Sequence, residues 1–150
     1  KYLLVGTYDP KWLIPMAETL SGLGVRRAWI VHGNDGMDEL TTTGTSEIAQ
    51  LADGNISTLE IGPGDAGLPL TDIDKLKGGS PEENAKAIRD LLKGAKGPYR
   101  DIVLLNSSAA LVVAEKAANL KEGVEVAADA IDSGKAKDAL TMLLMNTGKS

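Results

Sequence analysis

Two apolar runs separated by one amphipathic helix open the chain, and that order admits few folds. Residues 1–8, with Tyr2, Leu3, Leu4 and Val5 at their centre, read as a buried strand. Asp9-Pro10 then marks a helix start: an Asp side chain can cap exposed amides, and Pro at the first helical position forfeits no hydrogen bond. Leu13, Ala17, Leu20 and Leu23 keep helical spacing as far as Gly24, a suitable stop. Pro15 falls inside that pattern, so the first turn is expected to be kinked or separate. Residues 27–31 supply a second strand. A strand, a helix and a strand joined this closely usually pair in parallel, with a right-handed crossover. The expected class is therefore α/β, part of a mostly parallel sheet with flanking helices.

The remainder adds one β-hairpin and four helical segments. Residues 47–51 and 56–61 flank Asp53-Gly54, a two-residue hairpin signal. A Gly/Pro-rich connection runs from Gly62 to Gly79, with one short turn around residues 71–76. Ser80 then begins a helix, because its hydroxyl can cap and Glu83 can reach back to complete a capping box. Ile88, Leu91 and Leu92 form its apolar face, and Gly94 ends it. Pro98 opens a long apolar helix expected over residues 99–118. The β-branched Ile102, Val103, Val112 and Val113 leave a strand at 101–105 as the second reading. Two short amphipathic helices, 122–132 and 135–145, close the chain. With no Phe at all, the core must be built from Leu, Ile, Val and Ala, which suits helices packed on a sheet better than an all-β sandwich.

Charge and composition remove several functions. The formal net charge is −5, with both signs interspersed and no basic stripe, which argues against a nucleic-acid partner. The absence of Cys excludes disulfides and thiolate chemistry and fits a reducing, cytoplasmic compartment. The longest near-apolar stretch, residues 102–114, is interrupted by Asn106, Ser107 and Ser108, so no membrane span is expected. The chain enters its first apolar run without a Met, and a longer parent polypeptide is expected.

The chemically dense segment is the loop after the second strand, His32-Gly-Asn-Asp-Gly-Met-Asp-Glu-Leu40. In open parallel sheets, ligands sit beyond the C-terminal ends of strands, where this loop begins. Adjacent Asp38 and Glu39, with Asp35 near, offer hard oxygen donors. Mg²⁺ takes one or two carboxylates, keeps several waters and shares substrate phosphates. On composition alone, a solvated acidic loop is the simpler reading.

The wider string changes that balance. Residues 1–10, KYLLVGTYDP, and 31–40, VHGNDGMDEL, resemble the anthranilate phosphoribosyltransferases. So do 78–85, GGSPEENA, 100–106, RDIVLLN, and 130–136, AIDSGKA. The resemblance runs in order along essentially the whole chain. It implies a fold of the nucleoside phosphorylase/phosphoribosyltransferase type, of which residues 1–150 form the C-terminal part of the α/β domain. It also implies Mg²⁺ as cofactor, held by Asp38 and Glu39 at a phosphoribosyl pyrophosphate site, with anthranilate as acceptor. The family's Gly-Thr-Gly-Gly-Asp phosphate loop has no counterpart here and would precede residue 1. A helical N-terminal domain, also outside this sequence, would supply the anthranilate contacts and a homodimer interface. The implied reaction is displacement of pyrophosphate from the ribose anomeric carbon by the anthranilate amine. The 150-residue chain alone is therefore expected to be inactive and to bind phosphoribosyl pyrophosphate poorly.

Other features carry less. Gly62-Pro-Gly-Asp-Ala-Gly67 matches GxGxxG, but Pro63 removes a donor and no helix is expected to open there, so it reads as a turn. The single histidine, His32, reads as structural. Asn106-Ser107-Ser108 reads as helix-packing residues bonded to nearby backbone. A pyrimidine-nucleoside phosphorylase-like enzyme and a non-catalytic module of the same fold remain alternatives.

Overall fold

The computed structural model describes residues 1–148, and the sheet they form is built outward from one buried strand. Strand β2 (Arg27–Gly33) is flanked by β1 (Tyr2–Gly6) in parallel and by β3 (Ser46–Ala52) antiparallel. β4 (Asn55–Ile61) pairs antiparallel with β3, giving the order β1-β2-β3-β4. The fold class is α/β as expected, with the hairpin in place. Within these residues the sheet is mixed rather than mostly parallel, because one pairing is parallel and two are antiparallel. The hairpin turn has positive φ at both central residues, +49° at Asp53 and +86° at Gly54, the conformation that matches the twist of the flanking strands.

Side chains alternate across β2 and feed two cores. Ala28 and Ile30 point to one face, where Leu13, Ala17, Val25, Ala49 and Leu51 join them beneath α1 (Leu13–Gly22). Trp29 and Val31 point to the other, where Leu40, Ile48, Leu105, Ala109 and Val113 pack beneath α3 (Pro98–Val113). Helices therefore cover both faces of the sheet. The kink expected from Pro15 takes the form of a separate 3-10 turn, Pro10–Trp12, capped by Asp9. β1 departs from its expected burial. Tyr2 and Leu3 are 42% and 37% exposed, because this strand lies at the sheet edge and pairs only with β2 among the described residues.

Residues 101–105 are helical, as the first reading held, but the helix stops at Val113 rather than continuing to residue 118. Glu115 adopts the left-handed conformation (φ +57°) there, and the amides of Glu115 and Lys116 bond back to the carbonyls of Val112 and Leu111. Its carboxylate is held by Tyr2 Oη at 2.8 Å and Arg27 Nη1 at 2.6 Å. Helix α2 (Pro81–Leu91) begins at the expected capping box of Ser80 and Glu83. Helix α4 (Leu120–Asp132) packs on α3, and α5 (Lys135–Asn146) follows after Gly134. Buried Arg100 of α3 donates to Asp132 at the end of α4, 2.8 Å. Two of the segments that carry the family resemblance thus meet in one ion pair. The Gly62–Gly67 run forms the 3-10 turn Pro63–Ala66, closed by Asp65 accepting from the Gly62 amide; no helix opens there. Among the described residues, no helix is long and apolar enough to cross a membrane.

Candidate metal centre

The loop of residues 34–45 leaves β2 at its C-terminal end and turns back over the end of β1. Two glycines make that path possible. A Cβ on Gly6 would overlap the carbonyl oxygen of Asp38, so the acidic loop rests directly on the last residue of β1. A Cβ on Gly33 would come within 2.6 Å of Asp35 Oδ1. The parallel ladder continues past β1, with the Thr7 amide donating to Val31 O at 2.9 Å. Buried His32 ties the same strand ends from the side, its Nδ1 donating to Thr7 O at 2.9 Å.

Inside the loop, backbone and side chains are extensively paired. Gly33 N–H donates to Met37 O, Gly36 N–H to Gly33 O, and Asn34 N–H to Thr45 O. The Asp35 carboxylate accepts from the Met37 amide and from the hydroxyls of Thr41 and Thr43. Partial burial pushes the Asp35 carboxyl upward, but those three donors and its own amide together outweigh it and hold it below the usual carboxylate range. Asp35, which the sequence placed beside the acidic pair, is thus committed to the loop's own structure. Leu40, Thr41 and Thr42 are wholly buried, an unusual condition for loop residues. Leu40 is gripped from α3: its amide donates to Asn106 Oδ1 at 3.0 Å, and its carbonyl accepts from Asn106 Nδ2 at 2.8 Å.

Asp38 and Glu39 are exposed, as are Asn34, Asp35 and Gly36, but unlike Asp35 they accept no side-chain hydrogen bond within the loop. The structure brings the predicted pair together at the strand ends. From the sequence, the pair is also expected to project into a shared, solvent-reachable pocket; neither residue lines any of five clefts of about 320 to 690 Å³ among the described residues. No group of three or more potential ligands surrounds a common point among the described residues. The donor set is two adjacent, solvent-facing carboxylates on a fixed backbone. That set suits a hard cation which keeps waters and completes its shell with phosphate oxygens, and it does not suit a cation needing an all-protein cage. Asn106, read from the sequence as bonded to nearby backbone, mostly bonds to the distant Leu40 backbone instead. Only one of its hydrogen bonds is local, to Ile102 O, while the other two reach across 66 positions.

The glycosyl transferase family, a/b domain, matches residues 1–137, and this chain belongs to that family. Within it, the chain is similar to anthranilate phosphoribosyltransferases. The chain is 57% identical over 147 residues to the anthranilate phosphoribosyltransferase of Parvibaculum lavamentivorans, covering 98% of this chain and 43% of that relative. The crystal structure of the Thermus thermophilus anthranilate phosphoribosyltransferase is 40% identical with a TM-score of 0.83, covering 91% of this chain and 40% of that one. A variant of the Saccharomyces cerevisiae enzyme, solved with Mg bound, is 25% identical with a TM-score of 0.84, covering 92% of this chain and 40% of that one. The chain spans less than half the length of the relatives it matches.

Proposed function

We propose that the protein containing this chain transfers a 5-phosphoribosyl group from phosphoribosyl pyrophosphate to anthranilate and releases pyrophosphate, a step of tryptophan biosynthesis. The observation that carries this reading is high identity over nearly the whole chain, together with Asp38 and Glu39 exposed on a rigid loop at the strand ends. Asp38 and Glu39 would hold Mg²⁺, which when bound supplies positive charge for the leaving pyrophosphate. Their role is that of cation holders, and no proton transfer is asked of them. Gly6, Gly33 and Asn106 fix the backbone that presents them. The acidic loop alone repels a polyphosphate, so phosphate recognition falls to donors outside residues 1–150, such as glycine-loop amides.

The same reading extends to the rest of the protein. A helical domain and a glycine-rich phosphate loop preceding these residues, a homodimer formed through that domain, and a cytoplasmic location all rest on the family resemblance. The test is a substrate comparison on the full-length protein. Formation of phosphoribosyl anthranilate with Mg²⁺ present supports the reading. Phosphorolysis of a pyrimidine nucleoside in its place would move the protein to the phosphorylase branch, and binding without turnover would make it a non-catalytic module.

A further inference from the structure

Asn106 sits in the middle of an otherwise largely apolar helix, where Asn is a poor helix former. A residue serving only to fill space there would be Leu or Ala, with better propensity and no polar group to satisfy. Its amide instead commits two of three hydrogen bonds to Leu40, which is fully buried and immediately follows Glu39. The Leu40 N–H belongs to the peptide plane shared with Glu39, and the Leu40 C=O belongs to the next plane. One side chain therefore fixes the orientation of both planes on the C-terminal side of the acidic pair. The plane between the two acids is held separately, by the Asp38 carbonyl lying against Gly6. Three consecutive peptide planes, from Asp38 to Thr41, are therefore set by contacts with β1 and α3.

We propose that Asn106 is a positioning residue for the acidic pair, clamping the Leu40 backbone so that Asp38 and Glu39 are presented to a divalent cation in one arrangement. This rests on the function proposed above. Without the clamp, the carboxylates keep their charge but lose their preorganised spacing. Loss of such an outer partner typically weakens metal binding or activity by about 10–100-fold.

The test uses the full-length protein with Asn106→Leu and the milder Asn106→Ser. A Ser hydroxyl at this position bonds back to Ile102 O within its own helix and leaves Leu40 unclamped. Ser108→Ala is the control, because it removes a buried hydroxyl from the same helix that bonds only to Leu105 O. Two quantities are read: hydrogen exchange of the Leu40 amide in metal-free protein, and Mn²⁺ binding in the presence of phosphoribosyl pyrophosphate, by electron paramagnetic resonance. Both Asn106 variants should speed Leu40 exchange and weaken Mn²⁺ binding about tenfold or more, while Ser108→Ala does neither. Asn106→Ser is the deciding variant, because it is the less able of the two to disturb packing. Wild-type Mn²⁺ binding in that variant overturns the proposal, whatever happens to thermal stability. The same titration on Asp38→Asn with Glu39→Gln separates the two ideas. If that double variant loses Mn²⁺ while Asn106→Ser keeps it, only the clamp is wrong. If the double variant also binds normally, the acidic pair is not the cation site.

Discussion

The loop of residues 34–45 and the segment of residues 69–90 differ in a way that runs against their secondary structure. The first is irregular, yet three of its residues are wholly buried and its backbone is bonded to α3 and to its own side chains. The second contains most of a regular helix, yet none of its residues is buried. What holds the second is mostly local: the reciprocal cap of Ser80 and Glu83, the Gly79 amide donating to Asn84, and the Lys86–Asp90 pair one turn apart, with one long-range bond from the Thr71 amide to Thr42 O at 2.9 Å tying its start to the first. What holds the first is long-range contact with β1 and α3. Burial therefore follows the number of distant partners rather than the regularity of the backbone. The exposed Asp38 and Glu39 sit between two such distant contacts, at Gly6 and at Asn106.

Three substitutions probe this contrast, in falling order of effect. Gly6→Ala places a methyl group inside the Asp38 carbonyl, so either β1 or the acidic loop must move. A loss of about 3 kcal/mol in urea unfolding is expected, with Mg²⁺-dependent activity of the full-length protein lost alongside. A stable, fully active Gly6→Ala variant would mean that the loop does not rest on β1 as described.

Asp35→Ala removes the acceptor for one amide and two hydroxyls and should cost about 2 kcal/mol. The pH dependence of that cost has a definite sign. The folded carboxyl lies below its unfolded value, near 3.9 for an unperturbed Asp, so its stabilisation is present above that pH and is lost as pH falls through the folded value. The stability gap between wild type and Asp35→Ala should therefore be constant near neutrality and close in acid. A gap that persists unchanged to strongly acidic pH would assign the cost to something other than the ionised carboxylate.

Ser80→Ala removes the cap of α2 and should cost about 1 kcal/mol, confined to that helix. Amide exchange should rise in the first turn of α2, and the Mg²⁺ dependence of activity should stay where it was. A shift in that dependence would show that the cap of α2 and the acidic loop are coupled.

The parts of this fold legible in the sequence are those set by short-range signals. Asp9-Pro10 sets a cap, Asp53-Gly54 a hairpin turn, and Ser80 with Glu83 a capping box; each involves residues within three positions of one another. The exposure of the acidic pair is legible because adjacent carboxylates after a strand form a local polar pattern; its proposed role rests on the family resemblance. Parts set by distant partners were not legible. Nothing local to Asn106 says that its amide will close on Leu40, and nothing local to Asp35 says that Thr41 and Thr43 will occupy its oxygens. The end of α3 was missed for a related reason. The left-handed position expected of a Gly or Asn is taken by Glu115, whose carboxylate is held by Tyr2 and Arg27.

The central claim is that the loop's structure and its chemistry are separable: Asp38 and Glu39 carry the cation, and buried neighbours carry the fold. Asp38→Asn with Glu39→Gln in the full-length protein tests this most directly, with thermal unfolding and a Mg²⁺ titration of activity measured on the same sample. Both side chains are exposed, so stability should stay within about 0.5 kcal/mol of wild type. The Mg²⁺ needed for half-maximal activity should rise at least about tenfold, or activity should vanish at every concentration. A titration curve that overlays the wild type, from a variant equally well folded, would contradict the account.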